Sequence, residues 1–376
     1  MVVFLFVAGR GESARGITVR QLQYLPVNFG MKFNTFISLI VAIVLSLVVS
    51  KIVYFGFTPN YANFVFSKPV FSSFFQHDVY QYRVLSKYLL FAIDNWLASD
   101  MPAKGAEPRI LVGTPGGSER FYLAFYYLNT AFLVLTSIMV VLLVNLDRFR
   151  LTVMEKNLII FLVPMLIGLS QFTVCCYDVS SYFFQLLIIY IFLRFADRHY
   201  WGTMLTIGAL IILSTTNRES SALSVSMVTV LLLTRYGIAR KTFAGVGLMA
   251  ICFLATYVAL RILIVDPQHE RIFNTQVGQF LLDTNLIGLL FWGLFFYLPF
   301  AIAEETENRI LIGLFFVLSL PYIITVFKDG VLWEVRLYIP LFLGALFLSK
   351  LNVSAHAFRV SRYISRLRVV DEIEVQ

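Results

Sequence analysis

Apolar residues fall in long blocks separated by short polar joints. The blocks run over about 36–57, 121–145, 157–174, 180–196, 201–216, 219–236, 243–264, 284–303, 309–327 and 333–350, ten in all. Most approach the roughly twenty residues that a helix needs to cross a hydrocarbon core. The short alternating segments of a membrane barrel are absent. The pattern predicts an all-α, polytopic transmembrane helical bundle, because backbone polar groups in lipid must be satisfied within each segment.

The joints are informative because charge is scarce and concentrated. Four clusters stand out: His77–Arg83 (HDVYQYR), Tyr177-Asp178, Asn217-Arg218-Glu219 and Trp333-Glu334-Val335-Arg336. Threading the runs through a bilayer in order puts all four on one side. The other side collects Arg148, Arg150, Lys156, Arg194, Arg198, Arg235, Arg240 and Lys241. Basic residues in short loops mark the cytoplasm. The clusters are therefore expected outside, with both termini inside. Glu304-Glu305 is an acidic exception on the basic side.

Composition agrees with this class. Hydrophobic residues make up 59% of the 376 positions and charged residues only 14%, too few to cover a soluble surface of this size. The net charge of +8 follows from the positive-inside bias, and no nucleic-acid partner is implied. Cys175 and Cys176 are adjacent and Cys252 lies within a run, so no disulfide framework is expected. There is no GxxxxGK[ST] loop, HExxH pair or CxxC pair, and Gly113–Gly117 is a glycine-rich turn without the lysine of a nucleotide loop.

Three regions follow. Residues 1–35 form a cytoplasmic N-terminal segment, within which Met31 reads as a natural bacterial start ahead of an uncleaved anchor. Residues 36–350 form the transmembrane domain, including an extracytoplasmic loop over 58–120. In that loop, Tyr80–Leu97 predicts an interfacial helix. Residues 351–376 form a basic tail expected on the anionic inner leaflet, and the chain is expected in a bacterial inner (plasma) membrane.

Each cluster has a functional and a structural reading. Asp78 sits at the membrane surface, where a carboxylate can accept a hydroxyl proton or hold a divalent ion such as Mg or Mn. Its alternative is a helix N-cap. Tyr82, four residues on, would share its helical face, with Arg83 beside it. Arg218 has the donor fork that fits phosphate; its alternative is an ion pair with Glu219 inside the turn, next to Asn217. Asp178 reads best as the N-cap of the fourth span. Glu334 and Arg336 diverge on a helix and align on an extended segment, while Trp333 fits an interfacial anchor. His269-Glu270-Arg271 reads as a solvated turn, and Lys51 as a snorkelling cation.

An outward polar site without a nucleotide fold suits a substrate delivered by the membrane. With many spans, a long first outer loop and an acid in HDVYQYR, the chain resembles the GT-C class of integral-membrane glycosyltransferases. NRES and WEVR match more loosely. The resemblance implies a cell-envelope enzyme of polysaccharide biosynthesis. It would take a polyprenyl-phosphate-linked sugar donor and a glycan, lipid or protein acceptor, with membrane lipids as its other partners. Asp78 would be its catalytic base or metal-holding acid. Tyr82, Arg83, Asp178, Asn217, Arg218, Glu219, Glu334 and Arg336 would bind substrate. A polysaccharide polymerase of the same class, a transporter or flippase, and a noncatalytic assembly subunit are the other readings.

Overall fold

The computed structural model describes residues 28–56, 68–74, 78–100, 119–172, 174–264 and 283–353. They form an all-helical protein, and no strand occurs among them; the single β-bridge joins Phe149 to Leu351. The helices are α1 (Asn28–Gly56), α2 (Lys68–Phe74), α3 (Val84–Asp100), α4 (Glu119–Val144), α5 (Val153–Leu169), α6 (Asp178–Phe195), α7 (Tyr200–Asn217), α8 (Ala222–Tyr236), α9 (Arg240–Leu263), α10 (Asp283–Ile302), α11 (Thr306–Leu318), α12 (Leu320–Asp329) and α13 (Ile339–Ser349). Short 3-10 turns cover Asp78–Tyr82, Ser170–Phe172, Glu219–Ser221 and Val335–Leu337.

Each apolar run of the sequence contains helix, but the count of ten spans is not reproduced. Among the described residues, six helices are long and apolar enough to cross a membrane: α1, α4, α5 with its 3-10 extension to Phe172, α6, α9 and α10. A seventh span arises if α11 and α12 act together across their 55° bend. The bend falls at Ser319, where Pro321 in the first turn of α12 has no N–H to continue the upstream ladder. The remaining runs fall short for different reasons. α7 has 18 residues but carries Thr203, Thr206, Ser214, Thr215, Thr216 and Asn217. α8 has 15 residues. α13 has 11, about 17 Å of helix at 1.5 Å per residue, roughly half the hydrocarbon thickness. All of α13 is buried, so its apolar run is protein core.

Burial sorts the spans. In α6 and α4, 67% and 56% of the apolar window is buried, whereas α9 and α10 bury only 11% and 22%. α6 and α4 are therefore central, and α9 and α10 show most of their apolar surface to the surroundings, as lipid-facing helices do. α4 packs against α1, α3, α5 and α6, while α9 packs on α7 and α8.

Two hydrophobic clusters follow. The larger is built around α4–α8, α11 and α13. The smaller joins Val49, Val53 and Tyr54 of α1, Phe71 of α2, Leu90 and Leu97 of α3, the start of α4, and Val174–Tyr177. The helix expected over Tyr80–Leu97 exists as α3, which starts at Val84 and packs one face on α4 and α7. Tyr88 and Trp96 remain exposed. Asp94, which interrupted the apolar pattern, points inward and meets Lys68 at 2.6 Å and Arg120 at 3.0 Å.

The helices run so that α6 spans between two polar ends. Asn217, closing α7, bonds Ser180 at the start of α6. Asp197, just past α6, pairs with Arg148 and with Arg235 at the end of α8. The basic loops predicted to lie together do so. The acidic exception also finds its reason there: Glu305 pairs with Arg150, and Glu304 lies 2.8 Å from Lys350. His269-Glu270-Arg271, the Gly113–Gly117 turn, residues 1–27 and the tail from 354 lie outside the described residues.

Candidate functional site

The centre of the Asp178 end is a fully buried carboxylate. Asp178 is the first residue of α6, after Tyr177, and its side chain makes no cap to the helix. This corrects the N-cap reading: the carboxylate turns to two arginines instead. Arg336 Nη1 donates to Oδ2 at 2.8 Å. Arg218 Nη1 lies 2.5 Å from Oδ1 as an ion pair, without the alignment of a hydrogen bond. The positive end of the α6 dipole adds to the stabilisation of the negative charge.

Arg336 is held on all sides. Its Nε and Nη2 donate to Glu334 Oε2 at 2.9 and 2.6 Å. Glu334 has extended backbone just ahead of the Val335–Leu337 turn, so these two residues meet as an extended segment allows. Nη1 also donates to Cys175 Sγ at 2.9 Å. Burial pushes the Cys175 thiol up to about 11, against the pull of Arg336, so the sulfur accepts as a neutral thiol. The turn itself is pinned by hydroxyls, Tyr182 donating to the Arg336 carbonyl at 2.7 Å and Tyr322 to that of Leu337 at 3.1 Å. Behind it, a Cβ on Gly288 would stand 2.4 Å from the Leu332 carbonyl oxygen, so α10 approaches the WEVR segment backbone to helix. Trp333 stacks on Phe172 with centroids 6.2 Å apart, a protein contact where an anchor was expected.

The Asn217-Arg218-Glu219 joint also departs from expectation. Arg218 and Glu219 do not pair with one another inside the turn. Arg218 turns to Asp178, and Glu219 Oε2 lies 3.4 Å from Arg83 Nε. Asn217 accepts from Ser180 at 2.9 Å and from Ser86 of α3, and donates to the Tyr177 carbonyl at 3.0 Å. One side chain thereby ties α3, α6 and α7 together.

Arg83 brings in the segment between α1 and α4. Its guanidinium lies 3.9 Å from the Tyr177 ring and 4.9 Å from the Tyr80 ring. Arg218 covers the same Tyr177 ring at 5.5 Å. Arg83, Asp178, Asn217, Arg218, Glu219, Glu334 and Arg336 are therefore in one network, assembled from four separated stretches of chain. Its charges cancel: three arginines face Asp178, Glu219 and Glu334.

Tyr82 leaves the group and meets Arg261 of α9, 4.6 Å from its ring. The segment Asp78–Tyr82 is a 3-10 turn, which stacks i with i+3, so the helical basis for pairing Asp78 with Tyr82 is lost. Asp78 opens that turn; its side chain lies outside the described residues. Lys51 lies 4.1 Å from the Phe55 ring.

Residues the sequence did not single out complete the site. Tyr80 had a legible signal, an aromatic three positions before the cation Arg83. Cys175, Ser86, Ser180 and Tyr182 had none, because their partners come from distant segments. Among the described residues no three His, Cys, Asp or Glu side chains gather, and Asp178 and Glu334 both face arginine; the ion expected at Asp78 falls on a side chain outside them. No protein-family model matches the chain, and no similar protein emerges among curated proteins or solved structures.

Proposed function

We propose that the chain is an integral-membrane glycosyltransferase that moves a sugar from a polyprenyl-phosphate-type donor to an acceptor at the extracytoplasmic face. The observation that carries this reading is the placement of buried charge. Among the described residues, the buried ionised side chains are Arg83, Asp94, Asp178, Arg218, Glu334 and Arg336, and all lie at the Asp178 end. A transport pathway calls for such groups near mid-span.

The Asp78 turn is fastened to that end through Tyr80 and Arg83, which contact one another and both lie against the Tyr177 ring. In the proposed reaction Asp78 accepts the proton of the acceptor hydroxyl as its oxygen attacks the anomeric carbon. The bond to the donor phosphate breaks, and the polyprenyl phosphate leaves with its electron pair. Arg218 and Arg336, already paired with Asp178 and Glu334, serve as the frame that holds the turn in place.

The test is transfer by the purified chain from polyprenyl-phosphate sugars to a panel of glycan, lipid and protein acceptors. Asp78→Asn should lower turnover by about a hundredfold or more while the protein still folds. Unchanged turnover in that variant would remove Asp78 as the base, and transfer to no acceptor would sink the reading. A growing glycan as the preferred acceptor would make it a polymerase.

A further inference from the structure

The arginines at the Asp178 end fall into two kinds. Arg83, Arg120, Arg218 and Arg336 each face a carboxylate. Arg261, in the last turn of α9, faces none among the described residues. Its guanidinium sits 3.7 Å from the Tyr257 ring and 4.6 Å from the Tyr82 ring. Tyr257 lies four residues earlier on the same helix, so the two share a face. Tyr82 closes the turn that Asp78 opens. Aromatic rings engage the π faces and charge of a guanidinium, while its in-plane N–H groups stay available as donors.

The helix below Arg261 is the second observation. α9 is the least buried of the candidate spans, at 11%. Val258, Ile262 and Leu263, next to Arg261, are 49%, 67% and 80% exposed. A cation that faces no carboxylate among the described residues therefore stands at the polar end of a long exposed apolar face. That pairing matches a ligand with a phosphate at one end and a hydrocarbon chain at the other, since the arginine fork fits phosphate oxygens bidentately. The bland role for Arg261, offsetting the negative end of the α9 dipole, needs neither the tyrosine from the outer loop nor the open apolar face.

We infer that Arg261, framed by Tyr82 and Tyr257, binds the phosphate of one membrane lipid whose chain lies along α9. Identifying that lipid with the sugar donor rests on the glycosyltransferase reading; the binding itself does not. The contact with Tyr82 would place the lipid phosphate beside the Asp78 turn.

Binding of farnesyl phosphate, farnesol and inorganic phosphate to the purified full chain in lipid nanodiscs tests this. Farnesyl phosphate should bind and farnesol should not, with inorganic phosphate a poor competitor. Arg261→Gln should weaken farnesyl phosphate binding about tenfold or more, the scale of charge-assisted hydrogen bonds, and Arg261→Lys should restore part of it. Lack of farnesyl phosphate binding by the unaltered chain would overturn the inference. So would equal binding by Arg261→Gln or by farnesol, and equally tight inorganic phosphate would make it a free-anion site. The lysine variant, which keeps the charge, guards against a fold defect. Binding lost in Arg261→Gln by a chain that transfers no sugar would keep the lipid site and remove the glycosyltransferase reading. Transfer with unchanged binding in Arg261→Gln would do the reverse.

Discussion

The two ends of α6 carry the same motif in opposite surroundings. At one end Asp178 lies between Arg218 and Arg336; at the other Asp197 lies between Arg148 and Arg235. The side chain of Asp178 is fully buried, whereas that of Asp197 is 25% exposed and its arginines are 29% and 23% exposed. Burial changes what the same pairing does. Exposed ion pairs contribute about 0–1 kcal/mol because water and salt screen them. Buried ones add little net stability over an apolar core, but breaking them is severe because a charge is left without a partner. The Asp197 end is thus tolerant, and the Asp178 end is committed to a single arrangement.

Removing the two aspartates separately makes the largest test of that contrast. Asp178→Asn leaves two buried arginines without their shared carboxylate and should cost about 3–5 kcal/mol. Asp197→Asn should cost about 1 kcal/mol or less. Thermal unfolding of both variants in one detergent measures the gap, and similar midpoints would erase the distinction. A smaller effect should follow from Gly288→Val. Its side chain must push the Leu332–Trp333 backbone away, at about 1–3 kcal/mol for overpacking. It should also move the WEVR turn, visible as a change in Trp333 fluorescence.

The smallest effect belongs to the tolerant end. Lys350 lies between Glu155 and Glu304, at 2.6 and 2.8 Å. Partial burial disfavours its charge, but the two carboxylates outweigh this and raise its pKa. A raised folded value means that its contribution is full below the ordinary lysine value of about 10.4 and fades as pH rises through the folded one. The stability difference between Lys350→Met and the unaltered chain should therefore be small, constant through neutral pH, and vanish in strong alkali. A difference that grows with pH would reverse the sign.

Some of this was legible before any coordinates. The positions of the helices followed from the apolar runs, because a membrane or a core demands the same local pattern. The count of ten spans is not reproduced for that reason: α13 is as apolar as any of them, yet it is buried in protein. Period and hydropathy do not distinguish a lipid neighbour from a protein one. The charge clusters were visible as anomalies, but their partners were not. Arg218 was read against adjacent Glu219, yet it meets Asp178, 40 residues upstream, as Asn217 meets the carbonyl of Tyr177. Local spacing favours local pairs, and here long-range packing overruled it.

By itself the sequence determined the class, the helices and the gathering of rare charges at their ends, since each follows from local composition and the cost of polar groups in an apolar medium. Only the tertiary structure decided which charges face one another. It also decided that Asp178 is sealed while Asp197 stays wet, and that Arg261 stands between Tyr257 and Tyr82, beside the Asp78 turn. Those outcomes depend on distances between segments far apart in the chain, which the helix packing alone sets.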